Sequence, residues 1–347
     1  MPPRLSLCMI VRDEAYFLVR CLDAVRDHVD EIVVVDTGSK DNTVEIARRY
    51  TPQVYEYCWH DDFAAARNHA VDRAAGEWLL VLDADEIILP SDLRHIRQLI
   101  LDTDRDVFFL QGHDYSDNPM EPGWQRLKQS HPLGWAYEGY SINPIARLFR
   151  RRQDIRYVGK VHEVVAEDLP GVRYDSLEAV IHHDTNGNPF KPKADRQRRY
   201  LEMIEHALEE EADGRLASYA GRVRMYYLQD FSGAIERFQQ AVELGYQPQA
   251  NLESLAEASY RIGRHSVAKE VYGSLYESGY RRLSLCNNYA NLLVRQRSYS
   301  AALEVLEHAL TLEGLTEEWE QPIRHNITFL RTKLGSVDVQ AGKTPAE

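Results

Sequence analysis

The chain has 347 residues, enough at roughly 150 per domain for two folded domains with their own cores. Apolar residues make up 44% and charged residues 27%, near the averages for globular proteins, which excludes disordered, collagen-like and coiled-coil compositions. A formal net charge of -13, from 41 Lys and Arg against 54 Asp and Glu, excludes a general nucleic-acid surface, so an anionic ligand needs a local site.

Leu5–Val11 reads as a buried strand; it is too short for a signal peptide core or a membrane span, so no transmembrane segment and a cytoplasmic location are expected. Cys8, Cys21, Cys58 and Cys286 show no paired spacing and are expected to be reduced, buried thiols. Residues 14–25 read as a helix and 31–35 as a second strand ending in Asp36-Thr37-Gly38-Ser39. Asp41 or Asn42 caps a helix through Tyr50, stopped by Thr51 and Pro52, and 54–58 make a third strand. An Ala-rich helix over 63–75 ends at Gly76, and the strand 78–82 runs directly into Asp83-Ala84-Asp85-Glu86. This alternation predicts an α/β fold with a mostly parallel sheet, whose ligands bind outside the carboxyl ends of the strands.

Residues 111–143 lose periodicity and hold Trp124, Trp135, Tyr137 and Tyr140, as expected of a binding loop or lid. Strand-like runs return at 145–149, 155–158, 161–165 and 179–182. Beyond Lys191 only helix is expected. Ala234, Ala268 and Ala302 recur at a spacing of 34, with Phe238, Tyr272 and Leu306 four residues on and Ala256 and Ala290 before the later anchors. Small residues at a fixed period let helix pairs stack, and this pattern resembles the tetratricopeptide repeat. Arg222 stands where the first unit needs a small residue, which marks that unit as an atypical cap.

Asp83 and Asp85 carry the chemistry. Alternation along an extended chain puts both carboxylates on one side, one for a ribose hydroxyl and one for a divalent metal bridging a diphosphate. The competing reading is an acidic loop cap. Asp36, at a strand end, can accept from imide or hydroxyl donors, or can form the turn before Gly38.

MIVRDE after the first strand, VVVDTGSKDNT at the second, FAAARN before the fourth and LDADE at its end together resemble the A-type fold of family 2 glycosyltransferases. The resemblance implies a nucleotide-sugar site at Val11, Asp36, Arg67, Asp83 and Ala84, with Asp36 and Arg67 at the base or ribose, Asp83 at the ribose and Asp85 on the metal. Downstream, ARLFRRRQDIRYVGKVHEVV and VIHHDTNG resemble a branch carrying tetratricopeptide repeats that includes sublancin-type peptide S-glycosyltransferases. There an RLF strand precedes a His-Glu pair, here His162-Glu163, and a later His falls near the metal.

Glu163 is the candidate catalytic base that takes the acceptor proton. The alternatives are a salt bridge to Arg150, Arg151 or Arg152, or Asp114 or Asp117 as base. His182 is the candidate third metal or diphosphate contact, with His183 as its alternative, because the branch's His-Tyr-Gly-Tyr is replaced by His182-His183-Asp184-Thr185. Lys191, Lys193 and Arg196 form either a closing loop on the diphosphate or a solvated linker. Trp124, Trp135 and Tyr137 are candidate acceptor contacts, because flat rings bind sugars and extended peptides, though rings also pack cores.

The expected organisation is a catalytic domain over 1–190, a helical linker over 191–214, repeats over 215–335 and a disordered tail over 336–347. The expected function is a metal-dependent, inverting glycosyltransferase using Mn²⁺ or Mg²⁺ and a UDP-sugar, either UDP-glucose or UDP-N-acetylglucosamine. Its acceptor is read as a peptide or protein Cys, Ser or Thr, with the repeats binding that polypeptide or forming a homodimer. The alternatives are a lipid-linked or polysaccharide acceptor, and a non-catalytic nucleotide-sugar-binding scaffold.

Overall fold

The computed structural model describes residues 4–117, 123–184, 193–313 and 315–341. The chain divides into two compact units, Met1–Arg196 and Gln197–Glu347.

The first unit is built on strands β1 (Leu5–Val11), β2 (Glu31–Asp36), β3 (Val54–Glu56), β4 (Trp78–Val81), β5 (Glu86–Ile88), β6 (Val107–Ser116), β7 (Gln125–Arg126), β8 (Gly139–Arg150), β9 (Tyr157–Val158), β10 (Val164–Val165) and β11 (Tyr174–His183). Among the described residues, nine of these form one sheet in the order β3-β2-β1-β4-β8-β6-β11-β5, with β7 added to β8. β1, β2, β3 and β4 pair in parallel, as do β6 and β11. β8 enters antiparallel between β4 and β6, and β5 closes antiparallel on β11.

β2, EIVVVD, is buried along its whole length because helices cover both faces of the sheet, which removes the polar alternation of a one-sided strand. Helix α1 (Ala15–Val25) presents Phe17, Leu18, Cys21, Leu22 and Val25 to one face, a stripe at helical spacing. Helices α2 (Thr43–Ala47), α3 (Phe63–Arg73) and α4 (Pro90–Leu99) complete the unit, with Ala64, Ala70 and Val71 of α3 on the opposite face. Each fully buried Leu or Phe contributes about 1.5–3 kcal/mol to this packing.

Several expectations need correction. The irregular stretch over 111–143 is flanked by an antiparallel pair: β6 runs on to Ser116 and β8 starts at Gly139, with Tyr115 opposite Tyr140. Partners some 25 residues apart leave no local period, so cross-strand pairing of aromatic and β-branched side chains was invisible. The helix ends at Ala47 rather than Tyr50, and β3 stops at Glu56. Gly76 does not cap α3, which ends at Arg73. It is where the chain crosses β1: a Cβ there would lie 2.8 Å from the Arg4 carbonyl oxygen and 2.9 Å from the Ser6 nitrogen. Cys58 is exposed, whereas Cys8, Cys21 and Cys286 are buried thiols.

The second unit contains α5 (Lys193–Glu210) from Gln197 onward, α6 (Gly214–Arg222), α7 (Phe231–Glu243), α8 (Pro248–Arg261), α9 (His265–Glu277), α10 (Leu283–Arg295), α11 (Tyr299–Ala309) and α12 (Glu317–Ala341). From α6 onward, helices adjacent in the chain pack on one another. Ala234, Ala268 and Ala302 are fully buried, and so are Phe238, Tyr272 and Leu306. In the first repeat the small residue is Gly221, not position 222: a Cβ on Gly221 would sit 2.6 Å from the Phe238 ring. A π turn at Val223–Tyr227 takes up one extra residue before the Ala234 anchor, which moves the close approach back by one. Arg222 instead lies over the Tyr219 ring. No helix among the described residues is long and apolar enough to cross a membrane.

Candidate functional site

The loops after β1 and β2 are laced together at the carboxyl edge of the sheet. Asp36 accepts from the Gly38 and Ser39 amides, both at 3.1 Å, and Gly38 takes a φ of +103°, so Asp36 is the turn former here. Val11 is its register partner, and the Val11 carbonyl accepts from the Thr37 amide at 2.9 Å. Asp13 accepts from the Lys40 amide at 2.6 Å, closing the β1 loop on the β2 loop.

β4 then delivers Asp83, Ala84 and Asp85. Arg67, on the inward face of α3, donates from Nη2 to both Asp83 oxygens at 2.9 and 3.0 Å, and from Nε to Glu163 Oε1 at 2.5 Å. Arg147 of β8 donates from its Nη2 to Asp83 Oδ2 at 2.8 Å and to Glu86 Oε1 at 2.9 Å. Two guanidiniums and three carboxylates thus form one chain, Glu163–Arg67–Asp83–Arg147–Glu86. Burial alone would raise the Asp83 carboxyl, but Arg67 and Arg147 outweigh it and hold the group well below the usual carboxylate range. Glu86 is pushed up, first by burial and then by Asp83 beside it, despite Arg147.

Asp85 faces His183: His183 Nε2 lies 3.5 Å from Asp85 Oδ2, and its Nδ1 is 2.7 Å from Asp114 Oδ1. Burial works against the imidazolium, yet Asp85 and Asp114 raise the His183 pKa well above the ordinary value. His182, the expected metal contact, is turned away, as alternation along β11 requires. Its Nδ1 is 2.6 Å from the Tyr115 hydroxyl, and burial, helped by His131 and His113, lowers its pKa to about 4.

The expected acceptor residues are separated in role. Trp124 donates Nε1–H to the Ser116 carbonyl at 2.8 Å and packs over Gly139, so it is part of the β7–β8 scaffold. Trp135 stacks on His131 at 4.7 Å and beneath the Arg20 guanidinium at 4.6 Å. The Tyr137 hydroxyl donates to Asp184 Oδ1 at 2.6 Å, and Arg20 donates to the other Asp184 oxygen at 3.1 Å. Glu163 pairs with Arg67, not with Arg150, Arg151 or Arg152. Of the competing bases, Asp114 is taken up by His183 and Asn143, and Asp117 accepts from the Glu138 amide. Lys191 lies outside the described residues.

The residues sequence reasoning missed are Arg147, Glu86, Arg20 and Asp184. Arg147 opens the RLF triplet and Glu86 ends DADE, so both stood inside quoted motifs. A charged residue in an apolar run was the available signal, since a strand buried on both faces admits one only with a partner.

Among the described residues no group of three or more His, Cys, Asp or Glu is arranged to hold a metal ion. The donor set nevertheless fits a hard or borderline cation that displaces the His183 proton: an Asp85 oxygen and the His183 Nε2 stand side by side, and Mg²⁺ or Mn²⁺ commonly take one or two protein ligands and complete their shell with phosphate and water.

An α/β sheet with an acidic turn at the carboxyl end of a central strand, followed by stacked helix pairs, is the architecture of a glycosyltransferase domain joined to tetratricopeptide repeats. Residues 6–159 match the family model for Glycosyl transferase family 2, and this segment is a family 2 glycosyltransferase domain. Glu163, His182 and His183 lie beyond the matched segment. The chain is 39% identical over 166 residues to a TPR repeat-containing protein of Synechococcus elongatus, covering 48% of this chain and 36% of that protein. It is 29% identical over 164 residues to the SPbeta prophage-derived glycosyltransferase SunS of Bacillus subtilis, covering 46% of this chain and 34% of that one. The chain therefore spans about a third of the length of these curated relatives. Among solved structures, S. aureus TarS 1-349 superposes with a TM-score of 0.42 at 16% identity, over 80% of this chain and 92% of that one.

Proposed function

We propose that the chain transfers a sugar from a nucleotide diphosphate donor, UDP-glucose or UDP-N-acetylglucosamine, to a peptide or protein Cys, Ser or Thr side chain, with inversion. The observation that carries this reading is the acidic turn at the end of β4, where two buried guanidiniums fix Asp83 and Asp85 faces His183. The family 2 match and a relative named as a glycosyltransferase support sugar transfer. The motif resemblance and the helical repeats support a polypeptide acceptor.

In this reading Asp83 accepts from the ribose hydroxyls, its charge held ionised by Arg67 and Arg147. Asp85, with His183, would hold the divalent cation, Mn²⁺ or Mg²⁺, which when bound supplies positive charge against the diphosphate. The acceptor sulfur or oxygen attacks the anomeric carbon as the bond to the diphosphate oxygen breaks. Glu163 takes the acceptor proton: Arg67 occupies its Oε1, which leaves Oε2 for that role.

The test is release of UDP from either donor by the purified chain with Mn²⁺. Turnover is expected to rise with Cys-, Ser- or Thr-containing peptides and to vanish in Asp85→Ala. UDP binding without turnover on any acceptor would make the chain a scaffold. Stimulation by lipid-linked sugars alone would move the acceptor out of the polypeptide class.

A further inference from the structure

Two side chains hold the acidic turn from beneath and are themselves almost sealed from solvent: Arg147 is 4% exposed and Glu86 6%. Glu86 Oε2 accepts from the Asp83 amide at 2.8 Å, while the Glu86 amide donates to the Asp83 carbonyl at 3.1 Å. Side chain and backbone together close a ring around Asp83-Ala84-Asp85. Arg147 reaches this ring because β8 pairs antiparallel with β4, Leu148 opposite Leu80, which brings the neighbouring residue level with the end of β4. Its Nη2 joins Glu86 Oε1 to Asp83 Oδ2. Glu86 is also the register partner of His183 on β11, so the residue before it, Asp85, is presented to that imidazole.

Burying two carboxylates around one guanidinium is costly, and well-packed apolar side chains of similar volume commonly serve stability as well or better. Ile87 and Ile88, which follow directly and are buried, show that this strand takes apolar residues. What an apolar residue at position 86 could not do is accept the Asp83 amide and fix the direction of its carboxylate.

We propose that Glu86 and Arg147 are positioning residues for the acidic turn. They touch no donor atom; they preform the Asp83–Asp85 geometry so that a nucleoside diphosphate meets a rigid site. The inference rests on the turn being the donor site proposed above, and its test separates the two ideas.

UDP affinity is measured by calorimetry with Mn²⁺ in the full chain. Absence of binding in the unsubstituted chain would remove the donor site itself, and this inference with it. Given binding, Glu86→Ala is expected to weaken UDP by about 10- to 100-fold, the usual range for losing the partner that orients a ligating group. Glu86→Gln, whose single carbonyl oxygen still accepts from the Asp83 amide while its NH2 replaces the oxygen that accepted from Arg147, is expected to bind UDP more tightly than Glu86→Ala and more weakly than the parent. In an Asp83→Asn background the further change Glu86→Ala is expected to cost less than it does in the parent, because the share that acts through the Asp83 carboxylate is already gone and only the share that acts through Asp85 remains. Hydrogen exchange adds a direct reading: the Asp83 amide loses protection in Glu86→Ala and keeps it in Glu86→Gln. Arg147→Lys, whose shorter side chain withdraws the charge from Asp83 Oδ2 and Glu86 Oε1, both held by Nη2 in the parent, is expected to weaken UDP about tenfold while the fold is retained. Equal losses from Glu86→Ala in both backgrounds, a Glu86→Gln chain as weak as Glu86→Ala, or parent-like binding by Glu86→Ala and Arg147→Lys would each overturn the assignment.

Discussion

Arg67→Met removes the hub of the buried charge chain while keeping much of the side-chain volume. Three hydrogen bonds disappear, one to Glu163 and two to Asp83. Breaking a buried pair from one side generally costs about 3–5 kcal/mol, because the partner charge is left buried. Here the two partners differ. Glu163 is only 10% exposed and loses its Arg67 bond outright, whereas Asp83 is 32% exposed and keeps Arg147. Solvent and the second guanidinium therefore absorb much of the Asp83 share, which puts the expected loss at the lower end, about 3 kcal/mol, or roughly 150-fold in the local opening equilibrium. Because the chain has two compact units, a single melting temperature would blur this loss, and native-state hydrogen exchange of α3 and β4 amides is the better assay. The double change Arg67→Met with Glu163→Gln should recover at least about 1 kcal/mol of the loss, since the stranded carboxylate is then neutral. A loss below about 0.5 kcal/mol, or strictly additive single changes, would refute the view that Arg67 organises the site.

Glu163→Gln should leave UDP affinity nearly unchanged and slow transfer by roughly two to four orders of magnitude, read by initial rates with a saturating acceptor. In the metal-free chain, His182 contributes acid lability: its folded pKa of about 4 lies below the unfolded value near 6.5, so stability is full above about 6.5 and is lost as pH falls toward 4, by roughly 3 kcal/mol. Urea titrations from pH 7 to 4 test this, and His182→Gln should flatten the dependence. Gly221→Ala should destabilise the second unit by about 1–3 kcal/mol through overlap with Phe238, seen as lost exchange protection in α6 and α7, whereas Arg222→Ala should cost little.

What could be read from the sequence was what repeats or alternates locally. The apolar run of β1, the Asp83-Ala84-Asp85 step at the end of β4 and the 34-residue spacing of Ala234, Ala268 and Ala302 each carry their signal within one element or one period. What stayed hidden depends on contacts between distant segments. Arg147 looked like a flank of an apolar strand until β8 was seen to run antiparallel beside β4. The choice between His182 and His183 depends on which face of β11 meets Asp85, and that follows from pairing with β5. Gly76 and Gly221 both sit where two segments approach too closely for a Cβ, and neither approach is encoded nearby. The π turn after α6 moved the first small residue by one position, enough to make a regular repeat look capped.

The central claim is that the turn after β4 receives the diphosphate of a nucleotide sugar. A crystal structure of the chain with UDP and Mn²⁺ tests it most directly. The account predicts the ribose at Asp83, with the diphosphate and cation together against Asp85 and His183. Nucleotide bound away from β4, or Asp85 turned into solvent with the nucleotide in place, would contradict it.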